Sequence, residues 1–173
     1  MRIRVSILLA VLALAGCSAG LPPDVAKLGH VSRDLRFGMD MPQGWSVRET
    51  AGPAALIATG PQTSSDGRPS VNVTVTPVAD GTTLEEFVQA SRRSLDRLPG
   101  FKLLSEEAAT AGARRAWTVT FEASAAGPLV RQKQLYVVTG GRSYIVTAAA
   151  LPADFAAEES NFDICFRSFR AGW

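Results

Sequence analysis

The chain has 173 residues, 46% hydrophobic and 20% charged, with 15 Gly, 10 Pro, 2 Cys and one His. That length suits one domain. The composition excludes wholesale disorder, a collagen and a coiled coil. Two cysteines cannot staple a disulfide framework, and one histidine excludes a multi-histidine metal site. The formal charge is +2, but Arg2 and Arg4 supply the surplus. Without them acids and bases balance, so no basic stripe is available for nucleic acid.

At the N-terminus, Met1–Arg4 is short and basic, and Val5–Leu14 is apolar except for Ser6. This is the pattern of a secretory signal peptide, and the run is shorter than the roughly 20 residues that span a bilayer. Leu14-Ala15-Gly16-Cys17 resembles the bacterial lipobox. The resemblance implies removal of a signal peptide at 1–16, a diacylglyceryl thioether on Cys17 and an acylated amino terminus. The alternative is an ordinary signal cut after Gly20, with Cys17 incidental. Each buried methylene of such an anchor contributes about 0.8 kcal/mol, so two or three chains hold without a basic patch. Ser18 after the cysteine implies export to the outer membrane, facing the periplasm, in a Gram-negative host. In other hosts the expected place is the outer face of the cell membrane.

Residues 17–34, with Pro22-Pro23 and small residues, are expected to form the lipidated cysteine and a tether. As a flexible chain, Ser18–Ser32 spans about 20 Å and would lift the domain off the membrane. His30 near its end is expected to be solvated.

The domain proper is expected over 35–173. Leu35–Met41 alternates Leu35, Phe37, Met39 and Met41 with polar or small neighbours, which predicts a half-buried strand. Trp45–Glu49 and Ala54–Thr59 follow as short strands, and Gly60–Pro69 as a loop. Ser70–Thr76 places Val71, Val73 and Val75 on one face, the clearest strand in the chain. Thr82-Thr83-Leu84-Glu85 is a capping-box pattern with Thr82 as the cap. Leu84, Phe87, Val88, Ser91, Leu95 and Leu98 then recur at helical spacing, with Arg92, Arg93 and Arg97 assigned to the opposite face. Phe101–Glu106 and Arg114–Ala123 read as strands. Val130–Thr139 and Arg142–Ala150 read as a hairpin closed by Gly140-Gly141. Both faces are apolar in Leu135–Val138 and Tyr144–Val146, which predicts central strands. Asp154 is expected to cap a last helix with Phe155, Phe162, Cys165, Phe166 and Phe169 inward. About eight strands and two helices, without doubly wound alternation, predict an α+β fold: an antiparallel sheet flanked by helices.

This order resembles the PsbP/Mog-type α/β/α sandwich, and within it the DcrB-like bacterial lipoproteins. Phe37-Gly38-Met39-Asp40-Met41-Pro42-Gln43-Gly44-Trp45 resembles the family's opening strand and Pro-x-Gly-Trp turn. Val71–Pro77 followed by Thr83-Leu84-Glu85-Glu86-Phe87 resembles its strand-to-helix passage. Arg142–Thr147 resembles the late hairpin strand, and Phe162 to Ser168-Phe169 the closing helix. Together they span about Leu35–Phe169. The resemblance implies a binding module rather than an enzyme.

The residues offer little chemistry of their own. A Ser-His-Asp set would depend on His30, in or beside the expected tether. Cys165 among phenylalanines reads as a small buried apolar residue. The pairs Glu85-Glu86, Glu106-Glu107 and Glu158-Glu159 read as solvated faces, since neighbours on a helix point about 100° apart. No catalytic, cofactor or metal residue is expected. Arg92, Arg93 and Arg97 are the candidate contacts for an acidic partner or lipid headgroups. The Gly60–Pro69 loop and the Ala123–Gly127 turn are further candidate contact sites. Trp45 and Trp117 are expected in the core. The expected role is a membrane-anchored envelope lipoprotein that binds an envelope protein or complex without catalysis. An immunity or chaperone-like protein that binds a secreted effector, or a small envelope hydrolase, are the alternatives.

Overall fold

A computed structural model describes residues 20–124 and 127–173. Among the described residues are ten strands and two helices. The strands are β1 (His30–Ser32), β2 (Phe37–Met39), β3 (Ser46–Glu49), β4 (Ala54–Thr59), β5 (Ser70–Pro77), β6 (Lys102–Ala111), β7 (Arg114–Ala123), β8 (Val130–Thr139), β9 (Arg142–Ala150) and β10 (Arg170–Ala171). The helices are α1 (Leu84–Leu95) and α2 (Pro152–Ser168). Seven strands form one antiparallel sheet in the order β3-β4-β5-β9-β8-β7-β6. Two meanders, β3–β5 and β6–β9, meet where β5 pairs with β9. The strands with apolar residues on both faces, β8 and β9, lie in the middle, as their pattern predicts.

Side-chain alternation divides the sheet into two cores. Leu56, Ala58, Val71, Val73, Leu135, Val137, Tyr144, Val146 and Ala148 point to one face and are at most 2% exposed. The inner side of α2 covers them with Phe155, Phe162, Cys165 and Phe166. Phe162 meets Phe155 at 5.2 Å and the edge of Trp45 at 6.2 Å, within the usual range for aromatic pairs. On the other face Val119, Phe121, Ala123 and Tyr136 pack under Val88, Leu84, Phe87 and Leu95 of α1. The result is an α/β/α sandwich. Helix α1 packs on the β7–β8 side, and among the described residues no helix lies above the Asn72 and Thr74 face of β5, which keeps polar residues.

Several expectations need correction. The Leu35–Met41 strand is only Phe37–Met39, and it lies outside the main sheet. It is the middle strand of a small sheet, β1-β2-β10, packed beside α2. The expected tether is folded from Leu21 on. Val25 is buried, Asp24 Oδ2 lies 3.1 Å from Arg170 Nε, and β1 pairs with β2. His30 is therefore not solvated: its side chain is 16% exposed and its ring lies 6.0 Å from that of Phe37.

The helix caps also differ. Thr83, not Thr82, caps α1: its hydroxyl accepts from Glu86 N at 3.2 Å, and Glu86 accepts from Thr83 N at 3.0 Å. Helix α2 starts with Pro152 behind Leu151 and has no side-chain cap. Asp154 sits inside its first turn, buried, and accepts from Thr63 Oγ1 at 2.6 Å. Finally, β6 runs to Ala111 instead of ending at Glu106.

Candidate functional site

A groove of about 540 Å³ opens between α1, the edge strand β6 and its neighbour β7, within the size range of ligand sites. It exists because α1 sits over β7 and β8 while β6 extends beyond the helix as an open edge. Leu84 and Val88 of α1 and Trp117 of β7 form its apolar floor. Glu106 points into it because it pairs with Val119, whose side chain faces α1.

Arg92 dominates the electrostatics. It follows Val88 by one helical turn, so it lies on the inner stripe rather than the outer face expected from the sequence. Its Nη1 donates to Glu106 Oε2 at 2.7 Å, its Nη2 lies 3.4 Å from Asp96 Oδ1, and its guanidinium stacks over Phe101 at 5.5 Å. Arg93 and Arg97 are exposed, with Arg93 on the groove's rim. The three candidate arginines are thus not one patch. Arg115 and Glu85 form an ion pair across the groove mouth.

Two donors under the groove, Arg92 Nε and Trp117 Nε1, are buried without acceptors. A buried donor without a partner costs about 1–3 kcal/mol. Burial pushes the neighbouring Tyr136 phenol well above its ordinary range, against the opposing pull of Arg92. Tyr136 stays neutral and donates to Gln134 Oε1. Arg92 Nε and Trp117 Nε1 are both closed off from the open space, so the groove presents its apolar floor flanked by Glu85, Glu106, Arg92 and Arg93.

The other candidates lie apart from it. Cys17 falls outside the described residues. Cys165 is fully buried, and burial pushes its thiol up to about 12; a thiol so placed has almost no thiolate at neutral pH. Burial lowers the His30 pKa more than Glu49 raises it. Its Nε2 has no hydrogen-bond partner, and Glu49 Oε1 lies 3.5 Å away. Among the described residues no three His, Cys, Asp or Glu side chains cluster as a metal site, and no helix is long and apolar enough to cross a membrane.

Of the two candidate loops, Gly60–Pro69 lines a cavity, and Ala123–Gly127 contributes none of its described residues to it. Asp66, Gly67 and Arg68 line a cavity of about 400 Å³ with Pro128, Val130 and Leu151 at the end of the sheet farthest from β10. Residues 125 and 126 of the turn fall outside the described residues. The Gly60–Pro69 loop is pinned there, as Thr63 N donates to Gly67 O at 2.8 Å and Thr63 Oγ1 reaches Asp154.

The sequence profile of the DcrB family matches residues 57–166, from β4 to the last turn of α2. The chain belongs to the DcrB family. The match spans both cores and the groove, and leaves out β1 to β3 and β10. No curated protein matches the chain by sequence.

Solved structures extend the likeness in fold. LpqN of Mycobacterium tuberculosis, described as involved in cell envelope biogenesis, is 18% identical over 79% of this chain and 83% of its own, with a TM-score of 0.62. Cyanobacterial PsbP from Synechocystis sp. PCC 6803 is 12% identical over 82% and 90%, with a TM-score of 0.64. A Pseudomonas aeruginosa protein of unknown function, PA94, a putative regulator by its description, is 18% identical over 72% and 81%, with a TM-score of 0.58. At these identities the likeness is one of architecture, and this DcrB-family chain shares the PsbP-like sandwich.

Proposed function

We infer that this DcrB-family protein is a lipid-anchored accessory protein of the cell envelope that acts by binding, through the α1–β6 groove, without catalysis. The observation that carries the reading is Cys17, placed after a basic start, a short apolar run and Leu-Ala-Gly. The envelope role draws support from LpqN, which shares the fold and is described as involved in envelope biogenesis. The groove is the binding element because it joins an apolar floor to charged walls beside an open sheet edge. The partner is an envelope protein that presents an apolar segment. Ser18 favours the outer membrane if the host is Gram-negative.

The test is affinity capture from membranes with the lipidated protein, compared with Cys17→Ser and Gln89→Trp. Gln89 is exposed at the groove, so Trp there fills the mouth without entering the core. A partner held by the native protein and lost with Gln89→Trp supports the reading; capture unchanged by Gln89→Trp contradicts the groove. Membrane retention unchanged by Cys17→Ser contradicts the anchor.

A further inference from the structure

The described chain enters the domain at one end of the main sheet, and that end is basic. Pro22, Asp24 and Val25 line a shallow cavity with Arg114, Arg170 and Trp173. Gly172 N donates to Arg36 O at 2.8 Å, Arg114 Nη2 to Gly172 O at 3.1 Å, and Arg142 Nη1 to Asp34 O at 2.9 Å. These bonds gather the β1–β2, β6–β7 and β8–β9 turns and Trp173 into one surface. Arg33, Arg36, Arg114 and Arg142 stand there against Asp34 and Asp80, while Arg170 is occupied by Asp24. Arg36 holds φ 56°, a left-handed conformation in which glycine is easier.

We propose that this end is a docking face for anionic phospholipid headgroups, so that the sandwich stands on the bilayer in one orientation. The proposal rests on Cys17 being the lipid anchor. Because Leu21–Asp34 is folded onto the domain, only the link from Cys17 to Gly20 separates anchor and face. From Cys17 to Leu21 that link reaches at most about 14 Å, against a Debye length of about 8 Å at physiological salt. A link this short lets the arginines settle within a Debye length of the headgroups, where each strengthens contact about fivefold. Trp173 packs half-buried against the core behind this face. Strand β8 has ten residues and runs about 33 Å to the opposite end, so the 60–69 loop points away from the bilayer.

The experiment is amide hydrogen exchange on the lipidated protein, reconstituted in phosphatidylcholine vesicles with or without phosphatidylglycerol. Phosphatidylglycerol is expected to raise protection severalfold at residues 33–36, 112–114 and 140–142 and to leave residues 60–69 unchanged. The triple variant Arg33→Gln/Arg36→Gln/Arg114→Gln, all at exposed positions, is expected to return protection to the phosphatidylcholine level. Protection independent of headgroup charge, unchanged by the variant, or centred on residues 60–69 overturns the proposal. Intact mass of the same preparation separates the two readings. An unmodified Cys17 defeats the anchor, while the exchange pattern on anionic vesicles still decides the docking face.

Discussion

Phe169→Ala tests how the small sheet is held. Phe169 lies between α2 and β10, is fully buried, and meets Phe37 of β2 at 6.1 Å and Tyr144 of β9 at 6.2 Å. One ring therefore joins the small sheet to the main one. Returning a phenyl group to water costs about 1.5–3 kcal/mol. The cavity left, roughly 100 Å³, adds about 2 kcal/mol if the walls do not collapse. The expected loss is about 3–5 kcal/mol, a large part of the 5–15 kcal/mol typical of a domain, and lowers Tm by roughly 6–20 °C. Phe169→Leu, which keeps most of the volume, is expected to lose only about 1 kcal/mol. Guanidinium unfolding of both variants measures this. A loss under about 1 kcal/mol for Phe169→Ala at unchanged m refutes the packing argument. A lower m instead shows that β1-β2-β10 detaches before the main sheet.

The His30 pKa lies below its ordinary value because burial outweighs Glu49. The unfolded chain therefore takes up the proton first on acidification. Stability is full above the ordinary imidazole pKa of 6.5 and is lost as pH falls from there through the folded pKa. Denaturant midpoints of the native protein are expected to fall between about pH 7 and 5 more steeply than those of His30→Gln; parallel curves contradict the assignment. Gly141 and Gly172 both hold φ 70°, but a Cβ at Gly141 meets open space, whereas at Gly172 it would lie 2.3 Å from Thr139 Cγ2. Gly141→Ala is expected to cost about 1 kcal/mol, and Gly172→Ala about 1–3 kcal/mol more. Thermal melts check the difference, and equal costs contradict the close approach.

Where one face of a strand packs on a helix, the sequence reports it. Val71, Val73 and Val75 of β5, and Trp117, Val119 and Phe121 of β7, alternate because only one face of each position set is apolar. β6 resisted reading past Glu106 because an edge strand needs no such alternation: Glu107-Ala108-Ala109-Thr110 is mostly exposed. β1 and β10 have three and two residues and exist only through pairing with β2, which no local pattern encodes. The alternation of Leu35–Met41 reported burial correctly but cannot say which sheet the strand joins. Thr82 and Thr83 each precede a glutamate by three residues, so the cap was degenerate in sequence and the fold chose the second. The groove had one legible sign: Val88, Arg92 and Leu95 follow i, i+4, i+7 spacing, which puts Arg92 on the buried stripe.

The proposed anchor on Cys17 decides whether this DcrB-family sandwich works at a membrane at all, and its chemistry can be counted directly. Cys165 is buried and unreactive in the native fold but becomes titratable on unfolding. The account predicts that mature protein extracted from membranes begins at Cys17, carries the diacylglyceryl mass, and shows a single free thiol when denatured. Two free thiols on a chain that retains residues 1–16, or a chain that begins after Gly20, would contradict it.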